Sequence, residues 1–307
     1  MHADRRLRKL HSSAFLYFMS VATEGSFRGA ARKLRIASSA VHRHVLLLEE
    51  EFGFPLFERH GRSVTLSTAG EIVLRHCKAT VHNFEHAVAE LDSLRNLRSG
   101  VVRVAASESF AAEIVPQICA SFADAYPGIR IHVTVVDSDS VIASIESGDN
   151  EVGFAFGTLV HKRVSILSTI DLPIGAIVGP KHPLAGKKSV TVEECFSYPI
   201  VLPDHKLSFR KRLDEVTDLF ATAKPAGVEA SSPRLMIGIA RLNRHIAFQT
   251  RLGIHGDLIR KSLVFLPLTD KRLKPDNCMI IASHTAKERF AANAFCDFAT
   301  STLKAML

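Results

Sequence analysis

The sequence predicts two structural classes in one chain: a small all-α domain running into a long helix, then a larger α/β domain of two lobes. Three observations carry this. The first third spaces its apolar residues at helical intervals, with Ser and Gly punctuating the ends. Residues 68 to 97 continue one helical pattern without a break. From Val101 onward strand-like runs alternate with amphipathic helices, the pattern of a sheet covered on both faces. The 307 residues, 47% of them hydrophobic, suffice for packed cores in both parts. Charge is uneven: residues 1–98 hold 15 Lys and Arg against 10 Asp and Glu, so +5 of the net +8 falls in the shorter part. That excess favours an acidic partner there.

In order, Ser12 or Ser13 caps a first helix that ends at Gly25. Ser26 caps a second, whose inner face is Phe27, Ala30, Ala31 and Leu34. After a tight turn at Arg35 to Ala37, a third helix runs from about Ser38 to Phe52. Its Ala40, Val41, Val45, Leu48 and Phe52 are spaced for burial, and Gly53 stops it. Two short helices joined by a tight turn, the second with Ser, His and Arg at its exposed start, match a helix-turn-helix.

The residues Gly25-Ser26-Phe27, Ala30-Ala31, Leu34, Ala40-Val41, Leu48-Glu49, Gly53, Pro55 to Arg59, Leu66 and Ala69-Gly70 fall in one register. On them the chain, from Phe18 to Gly70, resembles the winged helix-turn-helix of LysR-type transcriptional regulators. The resemblance implies that the third helix enters a major groove and that His60 to Leu66 form the wing. Side chains of that helix's first turn and a half reach base edges, so Ser38, Ser39, His42 and Arg43 are the base-contact candidates, Arg43 foremost because a guanidinium can donate two bonds to guanine. Arg28, Arg32, Lys33, Arg59 and Arg62 are the phosphate-contact candidates. The chain departs from the family at Ala37, where a capping Ser is usual, at His42 and at Leu46. With Ala37 unable to cap, Ser38 is expected to take over.

Ser67 or Thr68 caps the next helix, Thr68 and Glu71 fitting a capping box. Along it Val73, Cys77, Thr80, Phe84, Ala87, Leu91 and Leu94 step by four and three residues, a coiled-coil seam that calls for a partner helix. The resemblance implies a homodimer built on this linker, often extended to a homotetramer. His82 and His86 stand one turn apart without a third ligand, so no metal is expected.

The second part reads as strands at Val101 to Ala105, Ile129 to Val136, Val152 to Phe156, Leu172 to Gly179, Pro199 to Leu202, Ala226 to Glu229, His245 to Phe248, Leu263 to Pro267 and Asn277 to Ser283. Helices separate them near Ala111 to Tyr126, Ser140 to Ser147, Phe209 to Thr222 and after Ser232-Pro233, and Ala286 to Met306 closes the chain. So many strands, expected to be mostly parallel, call for two lobes. The motifs VVRVAASES, FADAYPGIRI, SGDNEVGFAFG, HPLA and IAFQT resemble the effector domain of the same regulators, which has the periplasmic-binding-protein-like fold of type 2. The division expected is 1–66 for DNA binding, 67–98 for the linker helix and 99–307 for the effector domain. Lobe I takes about 101–173 and 267–305, and lobe II about 174–266. A ligand lies between such lobes, at strand ends and helix starts. Ser107, Ser109, Ser138, Ser140, Ser231, Ser232, Gln249 and Thr250 are the effector-binding candidates, with Ser107, Ser140, Ser232 and Thr250 foremost. The serine-rich strand ends suggest a small organic acid. Where the family usually carries Gly-x-Gly before the Ile-Ala-Phe strand the chain has Asn243, Arg244 and His245, so the turn is expected to differ and Arg244 to lie in or beside the cleft.

No phosphate loop, HExxH, GxSxG or GxGxxG pattern is present, so no enzyme and no cofactor are expected. The five scattered cysteines have the usage of a reduced compartment. Arg5, Arg6, Arg8 and Lys9 before an apolar run suggest a secretory signal, but the run is short and merges into the first helix. No run reaches the roughly 18 apolar residues of a membrane span. The function expected is a cytoplasmic, sequence-specific regulator that binds double-stranded DNA and a small-molecule effector, without a membrane partner. The alternative is a periplasmic-type solute-binding protein, which has no use for the first 66 residues.

Overall fold

A computed structural model of the chain describes residues 13–60, 63–93, 100–157, 164–216 and 228–306, apart from the side chains of Arg59, His60 and part of the long helix. The chain divides into two compact units, Met1–Leu97 and Arg98–Leu307.

The first unit packs α1 (Ser13–Glu24), α2 (Phe27–Leu34) and α3 (Ser38–Phe52) around Phe18, Val21, Ala30, Ala31, Val41, Val45 and Leu48. Ser26 caps α2 by accepting from Gly29 N at 3.1 Å. Arg35 ends it in the left-handed region, φ 57°, which makes the turn tight. Gly53 closes α3 at φ 71°, a conformation open to glycine at no steric cost. The hairpin of β1 (Phe57–His60) and β2 (Ser63–Leu66) is the wing. Its entry is fixed by Glu49 of α3, whose Oε1 accepts from Leu56 N at 2.7 Å and Phe57 N at 3.2 Å. Its return strand donates from Val64 N to Gly25 O. The long helix α4 (Thr68–Ser93) follows.

Four expectations here are corrected. Ser38 does not take over the cap: α3 starts at Ser38 behind Ala37, which makes no side-chain cap bond. Of the two caps expected for α4 it is Ser67, whose Oγ accepts from Gly70 N at 3.0 Å, so the Thr68–Glu71 box is not the cap. Phe52 is 41% exposed, not buried, because at the end of α3 it lines an open apolar hollow with α1 residues rather than the packed core. Val73 and Cys77, the first seam positions, pack into the core of their own unit. Leu94 and the side chains of His82, His86 and Leu91 lie outside the described residues.

The second unit holds a five-stranded sheet of order β4-β3-β5-β12-β6, made of β3 (Gly100–Ala106), β4 (Ile129–Val135), β5 (Val152–Phe156), β6 (Val164–Leu172) and β12 (Asp276–Ser283). A second sheet has β7 (Ile174–Val178) between β10 (Ala247–Thr250) and β11 (Val264–Pro267), and β8 (Val201–Pro203) pairs with β9 (Val228–Ala230). Helices α5 (Glu108–Ala125) and α6 (Ser138–Glu146) follow β3 and β4. A single turn, α7 (Val192–Cys195), precedes β8, and α8 (Ser208–Asp214) follows it. Next come α9 (Pro233–Ala240), α10 (His255–Ile259) and the closing α11 (Phe290–Met306). Each sheet has its own core, one around Phe110, Phe122, Phe154 and Phe295, the other around Ile177, Leu184, Leu213 and Phe248.

The sheets are mixed rather than mostly parallel: β3 runs parallel to β4 and β5, but β12 is antiparallel to both its neighbours and β7 to both of its own. The chain enters and leaves the second sheet through neighbouring segments, and returning strands reverse direction. Strand β6, unforeseen in the sequence, lies at the edge and carries a register shift opposite Ile280/Ile281. The last helix starts at Phe290, after a 3-10 turn at His284–Glu288. The expected strand near Ala226 is described from Val228, and most of the helix expected beyond Asp214 lies outside the described residues.

Candidate nucleic-acid interface and ligand cleft

In α3 the buried residues Val41, Val45 and Leu48 repeat at helical spacing, which turns the start of the opposite face outward. Ser39 and Arg43 are exposed there and Ser38 is half-buried. His42 is half-buried, its ring 5.0 Å from that of Phe27, so it packs toward α2. Arg28 and Arg32 are exposed on α2, four residues apart and therefore on one face. Lys33 is engaged by Glu24 at 2.7 Å. Arg62 and the side chain of Arg59 lie outside the described residues, Arg59 itself being in β1. The exposed edge thus combines planar bidentate donors with hydroxyls, the chemistry of groove reading flanked by phosphate contacts.

The same unit has an apolar hollow of about 410 Å³ between α1 and α4, lined by Phe15, Leu16, Met19, Phe52, Ile72, Val73 and residues of the next α4 turns. Phe52 and Ile72 are 41% and 47% exposed.

In the second unit the ends of β3, β4 and β5 and the start of β12 share one edge of the five-stranded sheet, since β12 runs opposite to β5. Side chains from that edge meet others from the second lobe around a cleft of about 280 Å³. Ser107, Ser109, Ser138, Ser231 and Gln249 line it, as the sequence suggests. Ser140, Ser232 and Thr250 do not line it, and they are three of the four foremost candidates. Their hydroxyl positions explain the difference. Ser140 Oγ donates to Asp137 Oδ2 at 2.7 Å. Ser232 Oγ caps α9 and donates to Glu108 Oε1 at 3.0 Å. Thr250 is only 1% exposed, inside the second lobe. Arg244 is exposed and also absent from the lining; Asn243 forms the turn instead, at φ 64°, its Oδ1 accepting from Lys181 N. Asn is among the few residues that enter this region readily.

Five polar lining residues escaped the sequence reading: Glu108, Asp137, Lys206, Ser208 and Asp276. Asp276 is the most telling. It is 1% exposed, burial pushes its carboxyl up to about 6, and Ser208 Oγ donates to its Oδ2 at 2.5 Å. Its Oδ1 and Ser107 Oγ are buried without a hydrogen-bond partner among the described residues. Asp137 caps α6, accepting from Ser140 N at 2.9 Å, and the bond from the Ser140 hydroxyl leads the lowering of its pKa. Bonds between the lobes include Ser208 to Asp276, Arg212 Nη2 to Asn277 Oδ1 at 3.2 Å, Ser232 to Glu108 and Gln249 Nε2 to Ser109 Oγ at 3.2 Å. The signal for Asp276 was an acid at the head of a strand that is apolar from Cys278 to Ala282.

Comparison with known proteins gives matches over both units. The family model of the LysR substrate binding domain matches residues 95–304, and that of the bacterial regulatory helix-turn-helix protein of the lysR family matches residues 13–71. The "Probable RuBisCO transcriptional regulator" of Cyanophora paradoxa is 26% identical over 200 residues, covering 64% of this chain and 62% of that protein. AlsR, an HTH-type transcriptional regulator of Bacillus subtilis (strain 168), is 27% identical over 185 residues, covering 60% of this chain and 61% of its own length. The chain thus spans less than two thirds of these curated relatives. Among solved structures, a full-length OxyR variant from Pseudomonas aeruginosa superimposes with a TM-score of 0.69 at 16% identity, over 96% of this chain and 95% of that one. Full-length BenM gives 0.52 at 19%, over 95% and 96%. At such identities the likeness is one of fold.

Proposed function

The chain belongs to the LysR family of bacterial regulators, and from that premise we propose that it is a sequence-specific DNA-binding transcriptional regulator, not an enzyme, answering to a small molecule between the lobes of its second unit. The observation that carries the first half is the outward edge of α3, with Ser39 and Arg43 exposed and Arg28 and Arg32 beside them on α2. Arg43, with Ser38 and Ser39, reads base edges in a major groove. Arg28, Arg32, Arg59 and Arg62 serve phosphates. His42 and Lys33 take lesser parts, because one packs on Phe27 and the other is paired with Glu24.

The protein works as a homodimer or homotetramer joined along α4. The hollow beside Phe52 and Ile72 supports this, since apolar side chains left half in water favour a partner. Among the described residues no helix is long and apolar enough to cross a membrane; the proposed place of action is the cytoplasm, where the DNA is. The effector occupies the cleft lined by Ser107, Ser109, Ser138, Ser231 and Gln249. A small organic acid gains little support from a lining with three carboxylates and one lysine.

Salt dependence of binding tests the phosphate contacts. On duplex DNA of mixed sequence, Arg28→Ala and Arg32→Ala should each weaken binding and lower the slope of log K against log salt by about one. Unchanged slopes in both variants would remove these residues from the interface.

A further inference from the structure

The cleft is chemically lopsided. An anion at this sheet edge would use the free amides at the starts of α5 and α6. At α5 no side chain caps the amides, but Glu108 stands in the first turn, accepting from Ser232, and sets a negative charge beside them; at α6 the cap is filled by Asp137, with Ser140 N bonded to it. The Phe156 amide is likewise taken, donating to Ser138 Oγ at 3.0 Å. Against the carboxylates of Glu108, Asp137 and Asp276 stand Lys206 in the lining and Arg212, outside it, acting on Asp276, so the carboxylates remain in excess. Two aromatic side chains, Phe156 and Phe209, also line the cleft, and a ring face beside a carboxylate is the chemistry that holds an ammonium.

The unpartnered atoms point the same way. Asp276 Oδ1 and Ser107 Oγ are buried lining atoms without a bond among the described residues, and the first, when ionised, can only accept. A buried polar group left unpaired is costly, so a site of this kind is completed by what it binds. Ser107 follows β3 and Asp276 opens β12, with β5 between them. By the strand register they are also offset by three residues, so their backbones stand about 14 Å apart, two strand spacings across and three residues along. One short chain can address both.

We propose that this cleft takes a small aliphatic amine, its ammonium donating to the Asp276 carboxylate and a hydroxyl or similar group at its other end meeting Ser107. The proposal rests on reading the cleft as the effector site. A volume of about 280 Å³ limits the ligand to a handful of carbons with their polar ends.

The test uses two compounds of matched length and opposite charge, 4-amino-1-butanol and 4-hydroxybutyrate, with the full chain at constant ionic strength. Calorimetry and thermal shift should show the amine binding at least tenfold more tightly than the acid. N-acetylation of the amine, which removes its charge, should cost at least tenfold on the wild-type protein, so this arm needs no substitution. Asp276→Asn should cost at least tenfold for the amine, and Ser107→Ala a few-fold. Tighter binding of 4-hydroxybutyrate, equal binding of the N-acetyl compound, or binding of neither probe would overturn the proposal. If the acid binds and Ser107→Ala weakens it, the cleft remains a ligand site and only the ligand class is wrong. If a probe binds with no response to either substitution, the cleft reading fails as well.

Discussion

Asp276 is a group that folding would place elsewhere if stability alone counted. Buried at the head of β12, its carboxyl is raised from 3.8 to about 6, so the folded chain retains a proton that the unfolded chain has released across that interval. The sign follows: its favourable neutral state is fully present below about pH 4, and stability is lost as pH rises through 6. The loss is on the order of 3 kcal/mol, taking about 1.4 kcal/mol per pKa unit. Asp276→Asn should therefore gain in melting temperature relative to wild type between pH 4.5 and 7.5, measured by differential scanning calorimetry. A constant difference between the two proteins across that range would contradict this. Cys77, Cys195, Cys278 and Cys296 show the opposite kind of burial. Their thiols are pushed up to about 11 or 12 and hold almost no thiolate at neutral pH. They serve as small apolar residues. The cysteines were legible as such from their scattered spacing, whereas Asp276 was not, because what marks it is its burial beside α8, where Ser208 donates to it.

Elements were legible where local chemistry decides them. Ser26, Gly25 and Gly53 announce their helix ends because a cap or a left-handed residue is needed at that point whatever surrounds it. The strand β5, all apolar from Val152 to Phe156, is central and reads without ambiguity. Strand β6, Val-Ser-Ile-Leu-Ser-Thr-Ile-Asp-Leu, did not read, because an edge strand with an irregular partner shows one face to water and breaks its own alternation. Ser140 and Ser232 fell outside the cleft for a related reason: a hydroxyl at a helix start serves a cap or a ligand equally well, and only the fold shows that Ser140 faces Asp137 and Ser232 caps its own helix. Glu49 holds the wing through Leu56 N and Phe57 N. Glu49→Ala should cost about 2 kcal/mol in urea unfolding, the range for bonds to a charged acceptor, and a cost below about 0.5 kcal/mol would mean the wing is held by other contacts. Ile72→Glu puts a charge into the apolar hollow of α1 and α4 and should shift sedimentation toward the monomer at micromolar concentration. An unchanged sedimentation coefficient would remove that hollow from the subunit interface.

At the scale of the whole molecule, the proposed division of labour gives DNA reading to the first unit and ligand binding to the second. A ligand that prefers one relation of the two lobes biases whatever geometry the subunits adopt, and with it the DNA half-sites they can occupy together. The bonds from Ser232 to Glu108 and from Gln249 to Ser109 span the lobes at the cleft, so occupancy there is placed to act on that relation. The reading end makes the sharper demand. Sequence preference requires that Arg43 meet a base edge, whereas phosphate contacts alone give affinity without choice. The most direct measurement selects bound sequences from a random duplex library with the full chain. It then compares the Kd of wild type and Arg43→Ala on the selected duplex and on its scrambled version, at one salt concentration. The expected result is a wild-type preference of at least a thousandfold. Arg43→Ala should reduce it by about 10 to 100-fold, the worth of one bidentate base contact, while binding the scrambled duplex almost as before. No enriched sequence, or a preference that Arg43→Ala leaves intact, would contradict the account.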